Sequence, residues 1–506
     1  MSQNRYPTEQ SQQAKQLIRE MVSSVEIPFE QNITTDRFWQ LAHDLLYTRV
    51  YYDQSTGEYF TKCLKTFKES LKLTRSHSNA SSAATTDDED ESEMPEVNDE
   101  CTEDEINTLL VSYLTLVCNY TDQMCALIDE KEFYLQITNF LMAFPSYENN
   151  LQFCIRKMFS LLNHVVEVNS NNLKVDFSQM DPETTKLVNE SLDQNENLIK
   201  AIGWILFNTY QLKQEPMQFI LEEFQGFETI SAVLNNYAAI SKNTTPDEDL
   251  YIENYSMYME LFFELCKEHE FEDIELKALK KPLVEWLLKH LKPLAKDENL
   301  MNFLKFKILL ILNEQFMVSH YSVNPEYGPG IDNLIFTTMT ETSPYFYTFT
   351  EILVLNFNRE PDQVIKILML KMLYLIFTTS FTCQWIYLND LKVIVDIMIR
   401  ELFNLSMIKD EVLLNTYLRV LCPLLMFSNL RDEDYKTDQL QEVLNYLETA
   451  ELASATTKRL AKRCLDLDLF KTDDKSNEPL NNNTAGGSLP QAPPPLEKRS
   501  NGDRIF

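Results

Sequence analysis

Glycine is scarce in this sequence, with 8 glycines among 506 residues, about 1.6% where roughly 7% is usual. Tight hairpins, phosphate-binding loops and doubly wound sheets need glycine wherever the backbone takes a positive φ or approaches a ligand closely. The scarcity disfavours all three, whereas long helices joined by short polar turns need little glycine. Hydrophobic residues make up 44% of the chain, which is enough for a large core. The composition therefore predicts an all-α fold.

Positive charge is also in short supply, and the formal net charge is −32. Residues 76–105 include twelve Asp or Glu and no Lys or Arg. Surfaces that bind nucleic acid, and polybasic segments that bind membranes, carry the opposite charge. We therefore expect no nucleic-acid partner.

Cysteine motifs and long apolar runs are missing as well. The nine cysteines include no C-x-x-C pair, which is typical of reduced thiols in a core. The polar start, Met1 to Gln16, lacks the apolar stretch of a signal peptide. The most apolar stretch, Val364 to Phe377, contains two lysines and is too short to span a bilayer. We expect a soluble, cytoplasmic protein without integral membrane contact.

Catalytic signatures do not occur: there is no G-x-G-x-x-G, P-loop, G-x-S-x-G or H-E-x-x-H motif. The six histidines are spread singly along the chain, without the spacing that places two metal ligands on one helix face. We expect a protein that is not an enzyme and that binds no cofactor or metal.

Helix start signals are plentiful. Thr102-Glu-Asp-Glu105 has the form of a capping box. Asp181-Pro182 and Thr245-Pro246 each place proline at the first helical position, where its missing N–H costs nothing. Pro361-Asp362 marks the start of another helix. These signals predict helices that begin near each site.

Two predicted helices, Phe303 to Val318 and Val364 to Phe377, are apolar on nearly every face, so they need neighbours all round. In the first, Asn313 interrupts the apolar surface, and we expect its amide to bond neighbouring backbone. Strong helices recur about every 20 residues, which gives units near the 40–47 residues of HEAT and armadillo repeats. An armadillo/HEAT-like solenoid is predicted, with a compact irregular bundle as the alternative because no repeat is visible in the letters.

Composition divides the chain into four predicted segments. Residues 1–75 form an N-terminal helical section, and residues 76–102 form a disordered acidic insertion because they cannot bury enough apolar surface. Residues 103–470 form the armadillo-like domain, and residues 471–506 form a disordered proline-rich tail. Within the domain, a proline- and glycine-bearing loop spans 321–330 and is either a connector or a contact point.

The tail contains Leu489-Pro-Gln-Ala-Pro-Pro-Pro-Leu-Glu-Lys-Arg499. Prolines at this density favour polyproline II, which docks into the aromatic grooves of SH3 domains. The spacing to the basic pair is imperfect, and a plain disordered tail is the alternative. The candidate SH3-binding residues are Pro490, Pro493, Pro494, Pro495, Lys498 and Arg499.

A charged ladder lies on another predicted helix, where Lys392, Asp396 and Arg400 follow one another at i, i+4 and i+8. Such a ladder is usually a solvated face with modest pairing along the helix.

Five segments in this region carry a family resemblance. They are Leu304-Lys-Phe-Lys-Ile-Leu-Leu-Ile-Leu-Asn-Glu-Gln-Phe-Met317, Leu355-Asn-Phe-Asn-Arg-Glu360, Leu368-Met-Leu-Lys-Met-Leu-Tyr-Leu-Ile-Phe-Thr-Thr379, Asn389-Asp-Leu-Lys-Val-Ile-Val-Asp-Ile-Met-Ile-Arg-Glu-Leu402 and Thr416-Tyr-Leu-Arg-Val-Leu-Cys-Pro-Leu-Leu425. In order and register, they resemble the leucine-rich domain of the WISH/DIP family, which includes the Nck-interacting SH3 protein and its fungal low-dye-binding relatives. The clear match covers about residues 300–430, and the proline-rich tail resembles the fungal members.

The resemblance implies an armadillo-like fold and a function in actin assembly. It implies an activator of the actin-related protein 2/3 complex that needs no pre-existing filament and seeds linear filaments at cortical actin patches during endocytosis. SH3-domain proteins of the endocytic coat are the other implied partners. No Trp follows Trp385, so the tryptophan-bearing acidic segment of branching-type activators is not expected. Lys392, Asp396 and Arg400, and the loop 321–330, are the candidate contacts with the complex.

Three alternatives stay open at this point. One is a generic armadillo-type adaptor of the cortical actin or endocytic machinery without nucleation-promoting activity. The second is a GTPase-binding armadillo module of the formin type. The third is an enzyme whose catalytic residues converge only in the folded chain.

Overall fold

The computed structural model describes residues 32–53, 58–63, 102–172, 182–213, 226–244, 255–294, 296, 298–322 and 331–470. The helices are α1 (Thr35–Tyr47), α2 (Glu103–Cys125), α3 (Glu130–Met142), α4 (Pro145–Glu148), α5 (Leu151–Asn172), α6 (Pro182–Leu212), α7 (Gly226–Thr244), α8 (Ser256–Glu268), α9 (Asp273–Leu276), α10 (Lys281–Lys289), α11 (Leu300–Ser322), α12 (Leu334–Glu341), α13 (Ser343–Phe357), α14 (Gln363–Thr378), α15 (Leu388–Asn404), α16 (Glu411–Phe427), α17 (Thr437–Thr449) and α18 (Ala455–Leu465). Two strands, β1 (Thr48–Asp53) and β2 (Glu58–Cys63), and two 3₁₀ turns, Asn429–Asp432 and Asp468–Phe470, complete the described elements.

The predicted helix starts agree with the structure wherever they fall on described residues. In the capping box, the Glu105 amide donates to the Thr102 hydroxyl and the Thr102 amide donates to the Glu105 carboxylate, 2.8 Å away. Helix α6 begins at Pro182. Asp362 caps α14 by accepting from the Val364 amide at 2.8 Å. The start at Thr245-Pro246 lies outside the described residues, so that prediction stays open.

The chain divides into two compact units, Met1–Thr229 and Ile230–Phe506, and the boundary falls within α7. The composition of the sequence does not indicate this division. In the first unit, α2 packs against α1, α3, α5 and α6. Its core is aromatic: the ring of Phe38 meets those of Tyr120 and Phe133 edge to face, at 6.2 and 5.6 Å.

The predicted N-terminal helical section needs one correction. After α1 the chain forms an antiparallel hairpin in which Thr48 pairs with Cys63 and Asp53 pairs with Glu58. The two strands read TRVYYD and EYFTKC, and β-branched and aromatic residues favour strands. Gly57 stands between the two runs in the sequence, and two such runs separated by a few residues that include glycine are typical of a hairpin. The helical class is confirmed for the rest of the described chain and is wrong for this hairpin.

In the second unit the helices form two rows. The first row packs in the order α8, α11, α14, α16 and α18, and the second in the order α10, α13, α15 and α17. Helices that follow each other along the chain, such as α13 and α14 or α15 and α16, connect the rows. Stacked helical pairs of this kind are how a repeat array buries its faces, while the armadillo or HEAT type itself remains a prediction.

The two all-round apolar helices lie inside the first row, as predicted. Helix α11 contacts α8, α10, α12 and α14, and α14 contacts α11, α13 and α16. Nine apolar side chains of α14 are buried, and they are Ile365, Ile367, Leu368, Met369, Leu370, Met372, Leu373, Ile376 and Phe377. Each such side chain contributes about 1.5–3 kcal/mol of burial free energy.

The polar side chains of α11 find partners on neighbouring elements. Asn313 accepts a hydrogen bond from the Asn333 side chain at 2.8 Å and donates to the Met317 sulfur. The predicted bond to neighbouring backbone is therefore wrong for Asn313. Glu314 pairs with Lys371 of α14. Across the described residues, every helix is too short or too polar to cross a membrane.

Candidate protein-interaction surface

The charged ladder predicted from sequence lies on α15, in the second row of helices. It follows the helix as a stripe, but its three members bond to neighbouring elements rather than to one another. The candidate SH3-binding residues of the tail, the acidic residues 76–101 and the loop residues 323–330 lie outside the described residues. Those predictions stay open.

Lys392 faces the turn that leads into α17. Its ammonium nitrogen is 3.2 Å from the Glu433 carboxylate and 5.3 Å from the centre of the Tyr435 ring. The lysine therefore combines an ion pair with a cation–π contact on one short segment.

Asp396, one turn further along α15, binds the same segment. Its carboxylate accepts from the Tyr435 hydroxyl at 2.9 Å and from the Lys436 ammonium at 2.7 Å. The hydrogen bond to Asp396 raises the pKa of Lys436. The pKa of Tyr435 is raised too, mainly by burial and to a lesser extent by its hydrogen bond to Asp396. Lys436 has a φ of 53°, a conformation that costs a non-glycine residue about 1 kcal/mol or more. Asp396 thus helps to hold a sharp turn before α17.

Arg400 connects α15 with the end of α13. Its Nη1 donates to the Asn358 side chain at 2.7 Å, and its Nη2 donates to Glu401 at 2.8 Å. Glu401 also accepts from Lys366 of α14 at 3.3 Å. The ladder therefore holds α15 against the end of α13 and the turn before α17, and Glu401 adds a bond to α14.

Apolar side chains stand in solvent on the same stripe of α15. Val393 is 44% exposed and Phe403 is 43% exposed. They share the exposed face with Asp396 and Arg400 because positions separated by three, four or seven residues align on a helix. A protein-interaction surface can use such apolar groups as its centre and the surrounding charges as its rim.

A group of aromatic side chains lies where α13 and α15 begin, and we call it the aromatic patch. It consists of Tyr347, Phe381, Trp385 and Tyr387. Tyr347 and Tyr387 stack with ring centres 5.2 Å apart, and Phe381 meets Trp385 at 5.8 Å. The buried ring of Phe346 supports Trp385 at 5.0 Å. Tyr387 is 62% exposed, Phe381 53% and Tyr347 36%.

The patch was not predicted, although the sequence contains one signal for it. Turns are normally rich in Gly, Pro, Asn, Asp and Ser, whereas the turn after α14 reads Thr379-Ser-Phe-Thr-Cys-Gln-Trp-Ile-Tyr387. Three aromatic residues in an interhelical turn indicate either a buried turn or a contact surface.

An open cleft of about 530 Å³ lies between α8, α11 and the start of α14. Its lysines are each paired with a carboxylate: Lys267 with Glu264 at 2.6 Å, Lys307 with Glu260 at 3.3 Å and Lys296 with Glu360 at 3.3 Å. The charges of the cleft are therefore satisfied within the fold. In the described parts of the chain, no three His, Cys, Asp or Glu side chains are placed to hold a metal ion.

Two rows of packed helices, with α15 bonded to its neighbours through Lys392, Asp396 and Arg400, define a helical-array protein. Comparison with known proteins gives its family: residues 298–440 match the leucine-rich domain of SPIN90/Ldb17. Protein LDB17 of Saccharomyces cerevisiae is 30% identical over 363 residues, which cover 69% of this chain and 70% of the relative. The chain belongs to the SPIN90/Ldb17 family, and the resemblance inferred from its motifs is confirmed.

Two further relatives have similar identity. Protein dip1 of Schizosaccharomyces pombe is 28% identical over 380 residues, covering 71% of this chain and 98% of the relative. Protein LDB17 of Eremothecium gossypii is 28% identical over 369 residues, covering 69% of this chain and 72% of the relative. The family match at 298–440 includes α13, α15 and the aromatic patch.

Proposed function

We propose that this protein binds the actin-related protein 2/3 complex and activates it without a pre-existing filament, seeding linear actin filaments at cortical actin patches during endocytosis. The observation that carries the proposal is membership of the SPIN90/Ldb17 family, since the matched residues 298–440 contain the exposed face of α13 and α15. The protein acts in the cytoplasm, by binding rather than by catalysis. Its proline-rich tail recruits SH3-domain proteins of the endocytic coat.

Activation by binding needs a surface that prefers one shape of its partner. To raise an active state of the complex from 1% to about half, the protein must bind that state about 100-fold more tightly, which is about 2.7 kcal/mol. A surface that deforms on contact loses part of this preference. The bonds of Lys392 to Glu433, Asp396 to Lys436 and Arg400 to Asn358 oppose such deformation.

The exposed face of α15 has the chemistry that an interface requires. Val393, Phe403 and Tyr387 supply apolar area, and the charged ladder lies between them. Buried apolar anchors supply most of the binding free energy at protein interfaces, whereas charges at the rim chiefly set orientation and association rate. We therefore assign Val393 to the centre of the contact and Lys392, Asp396 and Arg400 to its rim and its support.

Actin assembly with a fluorescent actin tests the proposal, using purified complex and no added filaments. The wild-type chain should shorten the lag before assembly, and microscopy should show unbranched filaments. Val393→Lys should weaken this effect about tenfold or more in the concentration required, because it places a charge in the apolar contact. The new lysine sits one turn from Asp390 and Asp396, so folding is favoured rather than opposed.

Val111→Lys is the matched control for this experiment. Val111 lies on α2, outside residues 298–440, and is 38% exposed against 44% for Val393. It should leave activity unchanged. If the wild-type chain has no effect over a wide concentration range, the generic adaptor function replaces this proposal. If both valine variants lose activity equally, the assignment of the face is wrong.

A further inference from the structure

We propose that the aromatic patch is the docking site for the proline-rich segment of this same chain, Leu489 to Arg499. The occupant is thus the chain's own tail, held in cis. The docking goes beyond the proposed function, because it controls whether part of the α13–α15 face and the proline-rich segment are open to other proteins.

The patch has the chemistry that recognises polyproline II. Proline-rich ligands of this conformation bind in grooves lined by exposed aromatic side chains, and they lose little entropy on binding. The stacked pair of Tyr347 and Tyr387 and the adjoining pair of Phe381 and Trp385 provide two such aromatic walls. Phe346 and Tyr347 are consecutive on α13, and each contacts one wall, so the walls lie side by side.

Polar groups on the patch are available to a ligand. The side chains of Trp385, Tyr347 and Tyr387 make no hydrogen bonds to other described residues. A polyproline II backbone makes no internal hydrogen bonds and presents its carbonyl oxygens outward. The indole N–H and the two phenol hydroxyls are donors that match those carbonyls.

The charges of the patch and the tail are complementary. Glu351 follows Tyr347 by one turn of α13, and Asp390 follows Tyr387 by one turn of α15. Neither α13 nor the turn from Thr379 to Tyr387 contains a Lys or Arg. The tail places Lys498 and Arg499 just after its prolines. An acidic border beside aromatic walls selects a proline-rich ligand with a basic end, and the tail is one.

The register of the prolines suits this surface. Polyproline II has three residues per turn and rises about 3.1 Å per residue. A segment bound in this conformation would project Pro490 and Pro493 from the same side, one turn apart, with Pro494 and Pro495 following directly in sequence. Two prolines on one side can each enter the space beside one aromatic wall.

The tail is long enough to reach the patch. The last described residue, Phe470, lies in a 3₁₀ turn that packs on α17, and α17 packs on α15. Packed helices are about 10 Å apart and the length of α15 is about 25 Å, so the path to Tyr387 is about 45 Å. The stretch from Lys471 to Leu489 spans up to about 60 Å when extended. As a flexible chain this 19-residue stretch has an r.m.s. end-to-end distance of about 25 Å, shorter than the span. The effective concentration therefore lies below the millimolar value of a matched linker, and the proline-rich segment has to bind the patch with sub-millimolar affinity.

Photo-crosslinking of the full chain tests the docking. Gln491 is replaced by p-benzoylphenylalanine, the chain is irradiated, and crosslinked peptides are identified by mass spectrometry. We expect crosslinks to peptides from α13 and from the turn Thr379 to Tyr387. In an equal mixture of isotopically light and heavy chains, the two peptides of each crosslink should carry the same isotope label, because the tail docks on its own chain.

Two substitutions and one control complete the test. Tyr387→Ala and, separately, a chain with Pro493→Ala and Pro495→Ala should each reduce these crosslinks about tenfold. Tyr446→Ala removes a tyrosine of similar exposure from α17 and should leave the yield unchanged. The proline substitutions alter only the tail, so a loss of crosslinks in that chain does not come from unfolding of the helices. Three outcomes would overturn the proposal. They are crosslinks scattered over the chain, crosslink yields that the substitutions leave unchanged, and crosslinks formed mainly between light and heavy chains. Actin assembly is not part of this readout, so its outcome is independent of the proposed activity.

Discussion

Lys392 of α15 and Glu433 of the turn before α17 face each other, with 3.2 Å between ammonium nitrogen and carboxylate oxygen. The two residues belong to separate elements, so the pair is a bond between neighbours in the second row. The charged ladder therefore has a structural role beside any role in binding. A charge reversal on the ladder changes both, and a test of function has to separate them.

A charge swap makes that separation. Lys392→Glu should lower the free energy of unfolding by about 1 kcal/mol, since an attractive exposed pair becomes a repulsive one. Adding Glu433→Lys should restore the melting temperature to within about 2 °C, because the pair is reformed with opposite polarity. We expect the swapped chain to remain deficient in activating the actin-related protein 2/3 complex. Recovery of activity together with stability would assign Lys392 a structural role alone.

The ion pair between Lys371 and Glu314 should matter far more for stability. It joins α14 to α11 inside the first row, and both side chains are mostly buried. Lys371→Met leaves the carboxylate without its lysine partner, which costs about 3–5 kcal/mol at a buried pair. The double variant Lys371→Met with Glu314→Gln should cost less, because no charge is left behind. Urea unfolding followed by circular dichroism measures both.

The exposed pair of Lys281 and Glu341 serves as control for that experiment. Lys281→Met should cost far less stability than Lys371→Met, because water screens the exposed pair. Equal losses from Lys371→Met and Lys281→Met would contradict the assignment of the first pair as a buried one.

Buried thiols predict a loss of stability at alkaline pH. Burial raises the pKa of Cys118 and of Cys154 to about 12, from an ordinary value of 9.0. Between pH 9 and about 12 the unfolded chain therefore loses protons that the folded chain keeps, and unfolding is favoured. Each such thiol lowers the free energy of unfolding by about 1.4 kcal/mol per pH unit in that window and has no effect below it.

Urea unfolding at pH 8, 9 and 10 in the presence of a reductant checks this. In the Cys154→Ala chain, the free energy of unfolding should fall less steeply above pH 9, by about 1.4 kcal/mol per pH unit. Met158→Ala removes a buried, non-titrating side chain from the same helix, so it should lower stability by a similar amount at every pH. A Cys154→Ala chain with an unchanged slope would show that this thiol does not stay protonated in the fold.

The helices were predictable because their signals are local. Each signal lies within a short stretch of consecutive residues. Examples are the capping box at Thr102, the cap at Asp362 and the apolar faces of α11 and α14. The hairpin at β1 and β2 was missed because glycine scarcity over the whole chain outweighed a short stretch of β-branched and aromatic residues. In this stretch the strand propensity of the local residues determined the structure.

The contacts of the candidate surface were not predictable, because they join residues remote in sequence. The stripe of Lys392, Asp396 and Arg400 was placed correctly on one helix, but its partners come from residues 433–436 and from Asn358. The aromatic patch likewise requires α13 to lie beside the start of α15, so that Tyr347 meets Tyr387. Helical periodicity tells which face a residue occupies and leaves open which element covers that face.

The buried amide of Gln315 provides the sharpest single test of how α11 is held. Its nitrogen donates to the carbonyls of Cys266 and His269 at 2.6 and 2.7 Å, and its oxygen accepts from the Phe271 amide at 3.0 Å. Gln315→Leu keeps the volume and removes all three bonds at the end of α8, so it should cost about 3 kcal/mol or more. Gln315→Glu keeps the acceptor but turns an anion toward two carbonyl oxygens, so it should be no more stable than the leucine variant.

Hydrogen exchange locates the effect of these substitutions. The Phe271 amide should exchange much faster in the Gln315→Leu chain, because it loses its acceptor, whereas amides in the middle of α16 should change only with the global stability. Gln363→Leu removes an exposed amide that donates to Asp410 and should cost less than about 1 kcal/mol. If Gln315→Leu were as mild as Gln363→Leu, water or a shifted backbone would have to satisfy the three groups, and Gln315 would not be what fixes the end of α8 on α11.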